Sequence, residues 1–171
     1  MNKKTKETFI LRSKIMTEIR NWLTNEGFLE VETPILQTIY GGASARPFKT
    51  FHNDLKTDMY LRISPELYLK RLIVGGFEKV FDMNKNFRNE GIDKSHNPEF
   101  TMLEWYEAYT DFNKQMQRFE NLVAHLCYKI HGKYEIEYQG TLLNFKPPWK
   151  KLEMPVAVKE KTGIDVINSD I

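Results

Sequence analysis

Between Val80 and Tyr109 the chain reads VFDMNKNFRNEGIDKSHNPEFTMLEWYEAY, and its residue types there could hold a charged ligand. Taken by twos, the second half gives Phe100, Met102, Glu104 and Tyr106. Side chains two apart share one face of a strand, so a ring, a thioether, a carboxylate and a phenol would stand in one row. The first half gives Asp82, Asn84 and Asn86 on one parity and ends on Arg88, with Phe81, Met83 and Phe87 on the other. One face of such a hairpin reads as core and the other as a floor for a polar ligand. If that ligand is a nucleotide, the planar fork of Arg88 could grip a phosphate. Phe100 could stack on a purine, while Glu90, His96 and Asn97, on the connecting loop, could meet phosphate, ribose or base edges. Glu104 and Tyr106 could hold an amine, and Glu66 could add a second carboxylate, a set suited to a long cationic ligand such as a lysine side chain. A structural reading stays open beside this one, with Arg88 paired to Glu104 or Glu90 and Phe100 packed as core. The joint placement on one parity favours a site. No Walker loop, GxGxxG fingerprint, zinc spacing or nucleophile elbow competes for the assignment.

The elements that must position these residues follow from periodicity. Phe9, Ile10, Met16, Ile19, Trp22 and Leu23 recur at helical spacing and predict a helix over 9–26, stopped at Gly27. Lys3, Lys4 and Lys6 ahead of it read as a solvated tail. Phe28 to Glu32 reads as a short strand, interrupted by Pro34, which lacks the N–H a ladder needs. Gly41 to Phe48, GGASARPF, reads as a small flexible loop that lets a ligand approach the backbone at Gly42. Strands are predicted over 48–51 and 59–63. Ser64-Pro65-Glu66 reads as a helix start, with Ser64 as N-cap and Glu66 also explicable as a complement to the helix dipole. That helix runs to Val74. The connection from Asn89 to Pro98 has ten residues, and so long a polar loop in a compact domain is often functional. Asp111 then caps a helix whose Phe112, Met116, Phe119, Val123, Leu126 and Ile130 predict one buried stripe. Residues 134–138 and 141–145 predict a hairpin about Gln139-Gly140, and 155–162 a short helix stopped by Gly163. Ile164 to Ile171 give no sign of a finished domain.

The 171 residues suit one ordinary domain. With 41% hydrophobic and 28% charged residues, the chain is globular rather than disordered. A net charge of +2 does not by itself announce a nucleic-acid binder. The single cysteine, Cys127, can form no internal disulfide and reads as inert packing. A reducing cytoplasmic setting is expected, with no membrane association, because no apolar run reaches spanning length.

Several of these stretches together resemble a known family. FRNEG at 87–91 followed by HNPEFTMLEWY at 96–106 resembles the second motif of class II aminoacyl-tRNA synthetases, in the form found in lysyl-tRNA synthetases of bacterial type. GFLEVETP at 27–34 is similar to their first motif, and GGASARPF at 41–48 and SPELYLKRL at 64–72 extend the likeness. The resemblance covers most of the chain and weakens after about Ile130.

The resemblance implies ATP-dependent activation of lysine to lysyl-adenylate, then transfer to the terminal adenosine of tRNA(Lys). On this footing Arg88 would grip the α-phosphate and the substrate carboxylate. Glu90, His96 and Asn97 would serve ATP, and Phe100 would stack on adenine. Gly42, Glu66, Glu104 and Tyr106 would bind lysine. The helix and strand around 9–34 would form a homodimer interface. The fold implied is α+β, a mostly antiparallel sheet backed by the helices at 9–26, 65–74 and 111–130. The family's third motif, its magnesium ligands and its anticodon-binding domain have no counterpart in the sequence. The expectation is therefore a partial catalytic domain over 1–171, weak or inactive alone, with Mg2+ held outside this chain. Two other readings remain. One is a relative that attaches lysine to elongation factor P, which GGASARPF fits less well. The other is a non-catalytic binding module derived from a synthetase.

Overall fold

The computed structural model describes residues 2–168; the end of the 164–171 stretch lies outside them. Among the described residues no helix is long and apolar enough to cross a membrane. Two compact units divide the chain, the first ending at Phe112 and the second beginning at Asn113.

The first unit opens with helix α1, Lys3–Asn25. Asn2 Oδ1 accepts the Lys4 N–H at 2.9 Å, which satisfies one of the free donors of the first turn. Lys3, Lys4 and Lys6 therefore belong to the helix and not to a tail, since capping one residue before Lys3 starts the helix there. Gly27, at φ +85°, supplies the left-handed residue that turns α1 into strand β1, Leu29–Glu30. This strand is shorter than the five residues expected. It pairs parallel to β5, Lys79–Phe87, with Leu29 opposite Val80. β5 in turn pairs antiparallel with β6, Glu99–Glu107. The apolar parity of this sheet packs on α1: Phe81 and Met83 join Leu23 and Phe28, with Met16, Ile19, Trp22, Leu103 and Trp105 partly buried around them.

A second sheet has the order β2-β4-β3, from Leu36–Gln37, Thr57–Leu61 and Lys49–His52, all antiparallel. It leads into helix α2, Glu66–Val74. Pro65 occupies the N-cap position rather than the first turn, although Ser64 Oγ still accepts the Glu66 N–H at 3.1 Å.

The polar parity of β5 is not the open floor that alternation suggested. Asp82 and Asn86 are buried. Arg62, at the exit of β4, lies over them. Its Nη1 donates to Asp82 Oδ2 at 2.7 Å and to Thr33 Oγ1 at 2.6 Å, and its Nε donates to Lys85 O at 2.8 Å. Alternation separates two faces but cannot say what covers each. β5 also stops at Phe87, one residue before Arg88.

The second unit holds nearly all of helix α3, Phe112–His131, the hairpin β7–β8 (Glu135–Tyr138 and Thr141–Asn144) and helix α4, Met154–Thr162. Trp149 fills the space between Phe119 and Phe145, with ring centroids 6.4 and 6.3 Å away. The expected stripe on α3 is not one buried face. Phe112, Met116 and Phe119 are exposed, and the buried positions are Arg118, Leu122, Ala124 and Cys127. A stripe drawn through large apolar residues overlooked Ala124 and the buried arginine.

Candidate active site

The β5–β6 hairpin carries most of the candidate residues, and its connecting loop closes immediately after the strands. The Arg88 N–H donates to Pro98 O at 2.8 Å. Within the loop, Asp93 Oδ1 accepts the backbone N–H groups of Ser95 and His96 at 2.6 and 2.8 Å. Its carboxylate also meets His96 Nδ1 at 2.8 Å. These hydrogen bonds hold the Asp93 pKa below its ordinary value, the Ser95 N–H contributing most. The GGASARPF loop lies against this one. Asn89 N–H donates to Arg46 O at 2.8 Å, and Arg46 N–H donates to Glu90 Oε1 at 3.3 Å.

Arg88, Glu90, His96, Asn97 and Phe100 line one cavity of about 290 Å3. The guanidinium carbon of Arg88 stands 5.2 Å from the Phe100 ring centroid. A guanidinium over a ring face at this distance is attracted to it as a cation. Arg88 Nε is buried and has no hydrogen-bond partner among the described residues, which leaves a charged donor suited to an anionic oxygen.

Glu66, Glu104 and Tyr106 line a second, more open depression, of about 390 Å3. Phe100 and Glu104 share a face of β6 four residues apart, so the two regions are separated by about 13 Å along the strand. Ser64 Oγ donates to Glu104 Oε1 at 2.8 Å, and the Tyr106 hydroxyl also bonds to that carboxylate. Burial raises the Glu104 pKa, with Glu66 adding to it, while Ser64 and Tyr106 oppose the rise. Tyr106 is pushed up as well, first by burial and then by the two carboxylates. Gly42 packs closely against Glu66 and Ser64. Its φ is +84°, and a Cβ there would fall 2.8 Å from Glu66 Cβ and 3.0 Å from Ser64 Oγ, so only glycine fits without a shift.

The nine candidate residues thus fall into two groups on adjoining elements, with Arg88 at the first. Three features were not read from the sequence. Ser64 reads in sequence only as a cap, because its carboxylate partner is 40 residues away. Lys70 Nζ lies 2.5 Å from Glu66 Oε1 and over the Tyr106 ring, a helix pair whose spacing alone could have revealed it. Arg62 carried no local signal. Among the described residues no three His, Cys, Asp or Glu side chains gather to hold a metal ion.

Known proteins point the same way. The family described as tRNA synthetases class II (D, K and N) matches residues 1–169. Lysine–tRNA ligase of Clostridium novyi (strain NT) is 60% identical over 165 residues, which are 96% of this chain and 32% of that protein. Lysine–tRNA ligase of Clostridium perfringens (strain 13 / Type A) is 58% identical over 164 residues, 96% of this chain and 33% of that protein. Lysine–tRNA ligase 2 of Methanosarcina mazei is 55% identical over 171 residues, covering 100% of this chain and 34% of that protein. The chain spans about a third of the length of these relatives. With a matching second motif folded as a β-hairpin around Arg88, and a family match over nearly every residue, this chain belongs to the class II tRNA synthetases of the D, K and N group.

Proposed function

We propose that this chain forms the wall of a lysine–tRNA ligase site on which ATP and lysine meet. The observation that carries this reading is the placement of Arg88, which lines a cavity beside the Phe100 ring and whose buried Nε has no partner among the described residues. The adenine would stack on Phe100, and Glu90, His96 and Asn97 would hold the rest of the nucleotide. Lysine would extend towards Glu104, Tyr106 and Glu66, its ammonium groups among the carboxylates and the phenol.

Arg88 would then lie where the two substrates react. A carboxylate oxygen of lysine attacks the α-phosphorus, the bond to the β-phosphate oxygen breaks, and pyrophosphate leaves. The arginine fork brings two mutually repelling anions together and takes up charge on the phosphoryl oxygens. Positioning and charge stabilisation of this kind carry much of the rate of such reactions. A hydroxyl of the terminal adenosine of tRNA(Lys) next attacks the lysyl carbonyl, and AMP leaves.

The dimer surface belongs to the same proposal. Phe9, Ile10 and Leu11 on α1 and Leu29 on β1 are exposed apolar side chains on one helix and the strand it feeds.

Calorimetric titration of the chain with a non-hydrolysable ATP analogue tests the reading. Arg88→Ala should abolish nucleotide binding while leaving the fold intact. Unchanged binding would refute the role given to Arg88.

A further inference from the structure

Ser64 stands where three parts of the lysine-binding group meet. Its hydroxyl accepts the Glu66 N–H at 3.1 Å and donates to Glu104 Oε1 at 2.8 Å. A hydroxyl has one proton to give. With an N–H on its lone pair and a carboxylate opposite, that proton has a fixed direction. Ser64 is buried at 3% exposure, and the backbone of Gly42 leaves so little room that a Cβ there would meet Ser64 Cβ at 3.2 Å and Oγ at 3.0 Å. The side chain is held against turning away from Glu104.

The titratable and charged groups around Glu104 come from three elements and the segment before α2. Glu66 lies on α2, with Lys70 of the same helix bound to it. Tyr106 is on its own strand, Asp82 is its register partner on β5, and Arg62 precedes α2 and pairs with Asp82. Of these neighbours, only Ser64 and Tyr106 give the carboxylate a hydrogen bond. Tyr106 is itself placed to meet a ligand, whereas Ser64 is enclosed.

We propose that Ser64 is a positioning residue for Glu104: it links the first turn of α2 to the β6 carboxylate, occupies one carboxylate oxygen, and so turns the other towards an amine ligand. The ligand's identity as lysine rests on the function proposed above; the link between Ser64 and Glu104 does not.

The test uses this chain with 13C-labelled glutamate carboxyls, following Glu104 by NMR from pH 3 to pH 9. Burial raises its titration, and the Ser64 hydrogen bond is the largest opposing effect. Ser64→Ala should therefore move the Glu104 midpoint to higher pH. Ser64→Cys, nearly the same size and a weaker donor, should fall between the two, a graded order that mere filling of space would not produce. It also keeps the test decisive if the alanine variant does not fold. Equal midpoints in all folded variants overturn the proposal. Titration with L-lysine follows. In the native sequence the Glu104 and Tyr106 signals should shift on lysine binding, and Ser64→Ala should weaken binding about tenfold, the size expected for a lost charge-assisted hydrogen bond. A moved midpoint with undiminished lysine binding overturns the positioning role. A moved midpoint in a chain whose native form ignores lysine refutes the lysine assignment and supports the Ser64–Glu104 link.

Discussion

Arg62 and Asp82 form a buried ion pair, Nη1 to Oδ2 at 2.7 Å, with side chains 0% and 1% exposed. Thr33 completes it by donating to Asp82 Oδ2 from both its N–H and its hydroxyl, at 3.1 and 2.7 Å. The pair fastens the segment after β1 and the exit of β4 to β5. It also stands beside both groups of candidate residues, for Phe87 N–H donates to Arg62 O at 3.0 Å immediately before Arg88, and Ser64 follows Arg62 by two residues. Removing one member of a buried pair strands the other charge and costs about 3–5 kcal/mol. Asp82→Ala and Arg62→Ala should each lose that much stability in urea denaturation. The double replacement Arg62→Met with Asp82→Leu should lose less than either, because no charge is then left unpaired. Additive losses would show that the pair acts as two independent residues.

Lys70 offers a different kind of test, since it places an ammonium of the chain on a carboxylate assigned to the ligand. A half-exposed helix pair contributes only about 0.3–0.5 kcal/mol, so an incoming amine can displace it. Lys70→Met should strengthen lysine binding about twofold by removing that competitor, and Lys70→Arg should leave it near the native value. Calorimetry decides the point: weaker binding in Lys70→Met would make Lys70 part of the ligand's support.

The candidate residues of this hairpin could be grouped from the sequence because they lie close together along it. Phe100, Glu104 and Tyr106 needed only the period of a strand to be grouped, and Arg88 follows directly on the partner strand. What stayed hidden were the partners brought in from other elements. Arg62 covers Asp82 from 20 residues away, and nothing local marks an arginine as the lid of a polar face. Ser64 satisfied a helix-start pattern and so concealed its second bond. The parallel pairing of β1 with β5 was equally unreadable, because a strand of two residues has no period. On α3 the period was present, yet Phe112 and Met116 stay exposed, since apolar spacing identifies a face and not its cover.

The α1 surface predicts an oligomeric state. Phe9 is 64% exposed and Ile10 45%, and apolar side chains grouped in this way mark a protein-binding face more often than scattered ones do. Sedimentation velocity should find a dimer. Phe9→Glu combined with Ile10→Glu should give a monomer with an unchanged Arg88 cavity, read as unchanged binding of the ATP analogue. A native monomer at high concentration would remove the interface from α1.

The two shifted carboxylates of the site predict opposite responses to pH. Glu104 has its pKa raised above the ordinary 4.5, chiefly by burial. Its contribution to stability is fully present below 4.5 and is lost as pH rises through the raised folded value, because the folded state then has to hold a charge that burial disfavours. Asp93 has its pKa lowered below 3.8 by the N–H groups it accepts and by His96. Its contribution is present above 3.8 and is lost as pH falls through the lowered folded value. Urea midpoints measured from pH 3 to pH 8 should separate them. Relative to the native chain, Glu104→Gln should gain stability as pH rises past 4.5, whereas Asp93→Asn should lose stability above 3.8 and converge with the native chain in acid. Parallel curves for Glu104→Gln and the native chain across that range would mean that the Glu104 carboxylate is as well solvated in the fold as in the unfolded chain, and that it does not hold the buried position from which it is proposed to receive an amine.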